Sequence, residues 1–239
     1  MSSPDMLPVA ILAGGLATRL HPVTRKIPKA LIEVAGKPFI CRQLDHLSRQ
    51  GIVKVVICVG YLGEQIEKAV GNGRTFGLTV QYSHDGPTLL GTGGALKRAL
   101  PLLGERFFAL YGDSYLPCDF HAVQRAFLES GKPALMAVLR NEDRWDKSNV
   151  LMRDGRMVEY DKRFPRLEMA HIDYGLGILS AAVLETYSEN RAFDLADVYH
   201  ELSLAGRLAG FEVSERFYEI GSPQGLKEAE AYFSAGGFV

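Results

Sequence analysis

The stretch ILAGGLATRLHPVTRKIPKALIEVAGKP, residues 11–38, decides how the rest of the chain is read. An apolar run over residues 7–12 stops at Gly14-Gly15 and releases the chain into a turn carrying Arg19, Arg25, Lys26 and Lys29. A short continuous apolar run bounded by glycines is the pattern of a strand buried on both faces, as in a parallel sheet. In such sheets ligands bind beyond the carboxyl ends of the strands. The small residues Ala13-Gly14-Gly15 that follow Leu12 would let backbone N–H groups approach a phosphate closely. Arg19 adds a planar fork of donors, and Pro22 and Pro28 stiffen the path to Lys29, so two cations can be held over one polyanion. The plainer alternative is a tight strand-to-helix turn with a solvated Arg and Lys. Two familiar phosphate loops are excluded. There is no G-x-x-x-x-G-K-[ST], and there is no G-x-G-x-x-G at this turn; the next strand ends in Val59-Gly60 where a ribose-binding acid would be needed.

Outward from this stretch the chain alternates. Helical spacing over residues 39–50 precedes an apolar strand at 53–60, a short helix between glycines and a strand at 78–83. A glycine-rich start at Gly91 becomes a helix to residue 100. A strand over 106–113 ends on a carboxylate, followed by a helix at 121–130 and a strand at 134–139. This rhythm predicts an α/β, Rossmann-like mixed and mostly parallel sheet with helices on both faces. Beyond residue 140 the pattern changes. Two short strands flank Asp154-Gly155, a hairpin signal. HIDYGLGILS reads as a strand, and FDLADVYHELSLAG reads as a helix with Leu195, Val198, Tyr199 and Leu202 on one side. LAGFEV and RFYEIG read as strands, and 224–235 reads as a closing helix. With no linker or repeat, 1–239 is expected to be one domain in two parts, 7–139 and 140–239, the second adding a small antiparallel lid to the sheet.

The 239 residues are 47% hydrophobic, enough for one sizeable core, and the net charge of -1 gives no global pull toward nucleic acid or an acidic membrane. Three scattered cysteines, Cys41, Cys58 and Cys118, read as reduced core residues. The start MSSPDMLPVA lacks a basic n-region, and no window approaches a membrane span. The expectation is a cytoplasmic protein, monomer or homo-oligomer.

The quoted stretch resembles the signature of the sugar-1-phosphate nucleotidyltransferases, L-A-G-G-x-G-T-R-L-x-P-x-T-x-x-x-P-K-P. Further matches follow in that family's order: GTGGAL from Gly91, YGDS from Tyr111, EYDK from Glu159, IDYG from Ile172 and FYEIGSPQGL from Phe217. The resemblance implies Mg²⁺-dependent transfer of a nucleotidyl group from an NTP to a sugar 1-phosphate, with release of pyrophosphate. It implies that Arg19 holds the leaving phosphates and that Lys29 binds the α-phosphate. Leu12, Ala13, Gly14, Gly15, Gly91, Thr92 and Gly93 would bind nucleotide. Asp113 would ligate the metal, with Glu219 where a second metal-binding Asp is usual. Asp161, Lys162, Asn149, Asp173 and Gly175 would hold the sugar phosphate, with Trp145 nearby, so the resemblance makes 7–139 mainly the nucleotide-binding half and 140–239 mainly the sugar-binding half. Departures are Glu219 itself, Ala30 for a proline, and Ala17 for the third glycine, which costs about 1 kcal/mol if that position needs φ > 0. The base and sugar implied are GTP with heptose or mannose 1-phosphate. The alternatives are a uridylyltransferase on an amino sugar, a cytidylyltransferase on a phospho or phosphono acceptor, or a module that binds nucleotide sugar without turnover.

Overall fold

The computed structural model describes residues 5–16, 20, 23–189 and 191–237. The opening apolar run becomes β1 (Val9–Leu12), and the quoted stretch adds a separate antiparallel pair, β2 (Glu33–Val34) and β3 (Lys37–Pro38); β1 is flanked in parallel by β4 (Lys54–Val59) and β6 (Arg106–Tyr111). Ile11 aligns with Ile57 on one side and Leu110 on the other. β5 (Thr79–His84) extends the sheet in parallel beyond β4. Beyond β6 lies β11 (His171–Ser180), antiparallel both to β6 and to β8 (Ala134–Arg140), and β12 (Leu208–Val213) closes that edge in parallel with β8. The sheet is therefore mixed and mostly parallel, and β11 is the strand that reverses within its centre. The hairpin β9 (Val150–Arg153) and β10 (Arg156–Tyr160) joins it through the single register pair His171–Val150.

The alternation of β1 explains why it reads as continuously apolar. Val9 and Ile11 enter one core and Ala10 the other, all fully buried. The first core is roofed by α1 (Phe39–Arg49), α2 (Gly63–Val70) and α4 (Phe120–Ser130), which contribute Leu44, Ile66 and Phe127. The second is roofed by α3 (Gly91–Leu103), α5 (Ala181–Glu185) and α6 (Leu195–Leu204). Leu195, Val198, Tyr199 and Leu202 all face this core, as their spacing predicts. Leu195, Val198 and Leu202, the purely aliphatic ones among them, each gain about 1.5–3 kcal/mol on burial. Two of these helix starts are capped by an aspartate: Asp119 accepts from Ala122 N–H and Asp194 from Ala196 N–H. The three cysteines are free and buried, and burial pushes the Cys58 and Cys118 thiols up to about 12.

Three boundaries differ from expectation. α3 runs through Pro101 to Leu103, because buried Leu103 anchors the last turn and Gly104 closes it on Leu100. β6 stops at Tyr111, two residues before the carboxylate, and the chain turns at Gly112 into β7 (Ser114–Tyr115). RFYEIG shrinks to β13 (Tyr218–Glu219), paired antiparallel with β7 before α7 (Pro223–Ser234).

Candidate functional site

The carboxyl ends of β6, β1, β4 and β5 open on a cavity of about 240 Å³, lined by the loop after β1, Lys29, Asp85, Leu89, the start of α3 and the turn 111–113. A second cavity of about 590 Å³ lies against the middle of β11. Tyr111 and Asp113 line both, so the two chambers meet at the end of β6.

The junction is made by backbone. Gly112 N–H donates to the Leu12 carbonyl at 3.0 Å, and a Cβ on Gly112 would sit 2.7 Å from that oxygen. Only glycine lets the two strand ends approach this closely. Ile220 N–H donates to the Asp113 carbonyl at 2.9 Å, which ties the turn to β13. Asp113 Oδ2 then accepts from Lys29 Nζ at 2.5 Å, with the two side chains 21% and 24% exposed. The pair sits where both chambers can reach it.

The remaining predicted residues divide. Leu12, Ala13, Gly14, Gly15, Gly91 and Thr92 line the first chamber. Asn149, Lys162, Asp173, Gly175 and Glu219 line the second, together with Trp145. Arg19 and Ala17 lie outside the described residues. Four details correct the sequence reading. The Ala13 N–H is spent on Cys58 O at 2.9 Å, so it is not a phosphate donor here. The Thr92 hydroxyl is committed to α6, donating to Asp194 at 2.6 Å and accepting from Leu195 N–H at 2.8 Å. Gly93 faces away from the cavity: its N–H donates to Phe193 O at 3.0 Å, and a Cβ there would lie 2.3 Å from the Phe193 ring. Asp161 closes a turn instead of lining the chamber, accepting from the N–H groups of Arg163 and Phe164, both at 2.8 Å.

The second chamber owes its shape to a fault in β11. Its register with β8 shifts between Asp173 and Gly177, and Gly175 has φ +88°. One edge of β11 passes from β9 at His171 to β6 at Leu176, and residues 172–175 are left facing the chamber. Asn149 Oδ1 accepts from Asp173 N–H, and Asp173 Oδ1 accepts from Gly175 N–H, both at 2.9 Å. Burial pushes the Asp173 carboxyl above its ordinary range, opposed by the Gly175 N–H and by Lys162. Trp145 carries the Arg144 and Arg216 guanidinium groups at 5.3 and 5.0 Å from its ring. Sequence reasoning missed Tyr111, Asp85, Leu89, Arg216 and Glu228. Tyr111 and Asp85 were findable, since each stands at or just after the carboxyl end of a parallel strand.

Among the described residues no cluster of three or more His, Cys, Asp or Glu could hold a metal unaided. Asp113 and Glu219 nevertheless offer hard carboxylate oxygens on one wall. That set suits Mg²⁺, which takes one or two carboxylates and completes its shell with phosphates and water. Glu219 also has a structural duty: it accepts from Gly221 N–H and, at 2.6 Å, from the Ser222 hydroxyl, while Ser222 caps α7 on Gly225 N–H at 2.9 Å.

The family profile described as nucleotidyl transferase matches residues 9–149. A D-glycero-α-D-manno-heptose 1-phosphate guanylyltransferase from Aneurinibacillus thermoaerophilus is 30% identical over 92% of this chain and 95% of its own. An N-acetylmuramate α-1-phosphate uridylyltransferase from Neisseria meningitidis is 42% identical over 47% of this chain and 49% of its own. A mannose-1-phosphate guanyltransferase beta-B from Xenopus laevis is 28% identical over 90% of this chain, which spans 61% of that relative. The crystal structure of HddC from Yersinia pseudotuberculosis complexed with GMP-PN superimposes with a TM-score of 0.77 at 27% identity, over 95% of this chain and all of that one. With its small-residue loop after β1 and its paired chambers meeting at Asp113, the chain belongs to the nucleotidyl transferase family.

Proposed function

We propose that the protein joins an NTP to a sugar 1-phosphate, releasing pyrophosphate and an NDP-sugar, with GTP and a heptose or mannose 1-phosphate as substrates. One observation carries this reading: the Lys29–Asp113 pair stands at the meeting point of two chambers. One chamber has the glycine-lined loop a nucleotide needs, and the other has the polar lining a sugar phosphate needs. The chemistry is attack by one anion on another, so positioning and charge neutralisation carry the catalysis. Lys29 would neutralise the α-phosphate where charge accumulates, and Arg19 the departing phosphates. Lys162 would hold the attacking phosphate, with Asn149, Asp173 and Gly175 orienting the sugar. Mg²⁺ would be held by Asp113, with Glu219 as the second carboxylate, and would neutralise phosphate charge. The chain's own groups supply direct in-line transfer without a covalent enzyme intermediate.

The guanylyl preference is supported by likeness to the heptose guanylyltransferase over nearly its whole length. The stronger but half-length match to a uridylyltransferase keeps UTP as the second reading. No described helix is long and apolar enough to cross a membrane. The free, buried cysteines fit the reducing cytoplasm. The test is a panel of four NTPs against sugar 1-phosphates, scored by pyrophosphate release and by the mass of the product. A GDP-sugar is expected; turnover by none of the combinations would overturn the proposal.

A further inference from the structure

We propose that His200 and Ser203 of α6 are positioning residues for Lys162, and that α6 sets that lysine against the nucleotide chamber. This rests on Lys162 holding the attacking phosphate. At the outer edge of the β9–β10 hairpin, α6 takes both backbone polar groups of Tyr160. The Tyr160 N–H donates to Ser203 Oγ at 3.0 Å, and its carbonyl accepts from His200 Nδ1 at 2.6 Å. Ser203 Oγ in turn donates to His200 O at 2.7 Å. Tyr160 is fully buried and Ser203 nearly so, so removing a partner leaves a backbone group unpaired away from water. Lys162 stands two residues further on and lines the second chamber. Just past it, Arg163 Nη2 donates to the Asp197 carboxylate at 2.6 Å. Asp197, His200 and Ser203 follow one another at intervals of three, along one row of the helix surface. One helix therefore grips the chain on both sides of the lysine.

The other end of the same helix reaches the first chamber. Asp194, which opens α6, accepts from the Thr92 hydroxyl at 2.6 Å, and Leu195 N–H donates to Thr92 Oγ1 at 2.8 Å. Thr92 lines that chamber. From Asp194 to Ser203 a helix rises about 14 Å. Between these ends α6 is pressed onto the sheet: a Cβ on Gly177 of β11 would meet the Tyr199 hydroxyl oxygen at 2.1 Å, and Leu195 and Leu202 are buried in the core beneath. A helix fixed at both ends and along its length transmits position. The wall of the nucleotide chamber and the turn that carries Lys162 thus keep one spacing. In-line transfer depends on that spacing, because a misplacement of about 1 Å can cost roughly a hundredfold in rate.

The test compares the wild type with His200→Leu, His200→Asn, Ser203→Ala, Lys162→Ala and the double variant of His200→Leu with Lys162→Ala, each checked by a melting curve. Asn offers an N–H donor where His has Nδ1, and Leu offers none. One readout is amide hydrogen exchange over residues 161–164. The other is kcat and KM for GTP and for mannose 1-phosphate. His200→Leu and Ser203→Ala should quicken the exchange roughly 3- to 10-fold. They should lower kcat/KM for the sugar phosphate by a similar factor and leave the KM for GTP unchanged. His200→Asn should match the wild type in both readouts. In the Lys162→Ala background the loss caused by His200→Leu should vanish, since both act through one group. A loss that persists there, a loss that falls equally on GTP, or an Asn variant as poor as the Leu variant would make His200 a merely structural contact and overturn the proposal. Exchange needs no turnover, so the two readings fail separately. Unchanged exchange in an active His200→Leu would sink the anchor alone. A wild type inert with every substrate pair, whose turn still loosens in His200→Leu, would sink the transfer and leave the anchor standing.

Discussion

Replacing Lys29 by Ala should separate stability from catalysis. Lys29 Nζ lies 2.5 Å from Asp113 Oδ2, and about a fifth to a quarter of each side chain is exposed. A pair that solvent reaches is worth under about 1 kcal/mol to folding, and the freed carboxylate can be hydrated by the open chamber. The urea midpoint should therefore move little. The transition state is another matter, because there the ammonium would face charge growing on the α-phosphate in a confined cleft. Removing one such contact costs about 3–4 kcal/mol, or roughly 10²–10³ in rate. The assay is steady-state pyrophosphate release with both substrates varied, alongside urea unfolding of the same preparation. The loss should fall on kcat with little change in KM. A folded variant that keeps more than a tenth of the wild-type kcat would refute the placement of Lys29 on the reacting phosphate.

Gly93→Ala would drive a methyl into the Phe193 ring, which stacks on Tyr187 with centroids 4.5 Å apart; overpacking should cost about 1–3 kcal/mol in urea unfolding, and an unchanged midpoint would contradict the contact. Glu219→Ala removes the acceptor of the Gly221 N–H and Ser222 bonds at the start of α7. It should destabilise the fold by about 1–2 kcal/mol even without Mg²⁺, whereas a purely metal-binding role predicts no loss in metal-free buffer. His46 is buried, with Nε2 2.9 Å from Leu116 O, and burial holds its pKa down to about 4. The unfolded chain takes that proton near 6.5, so it binds more protons between the two values. Stability should be full above pH 6.5 and fall toward pH 4 by up to about 1.4 kcal/mol per unit. An identical acid slope in His46→Gln would rule His46 out as its source.

The alternation of apolar runs was enough to read the sheet and the helices on both faces, because β1 and its neighbours bury both sides. What escaped the sequence was three-dimensional. The β11 register shift that opens the second chamber leaves no mark in HIDYGLGILS beyond Gly175. Asp161 looks like a phosphate-side residue beside Lys162, but its carboxylate is consumed by the turn it closes. Gly93 and the Thr92 hydroxyl belong to a motif that suggests ligand contact, yet residues 193–195, a hundred positions away, take up their bonding. Asp85 was passed over because it sits outside the familiar motifs, although a strand-by-strand inspection of carboxyl ends reaches it.

Pyrophosphate release should be measured with NTP, sugar 1-phosphate and Mg²⁺ together, and again with each omitted in turn. Direct transfer predicts release only in the complete mixture, with one NDP-sugar formed per pyrophosphate. Pyrophosphate released from NTP without an acceptor, or free phosphate as the product, would contradict it.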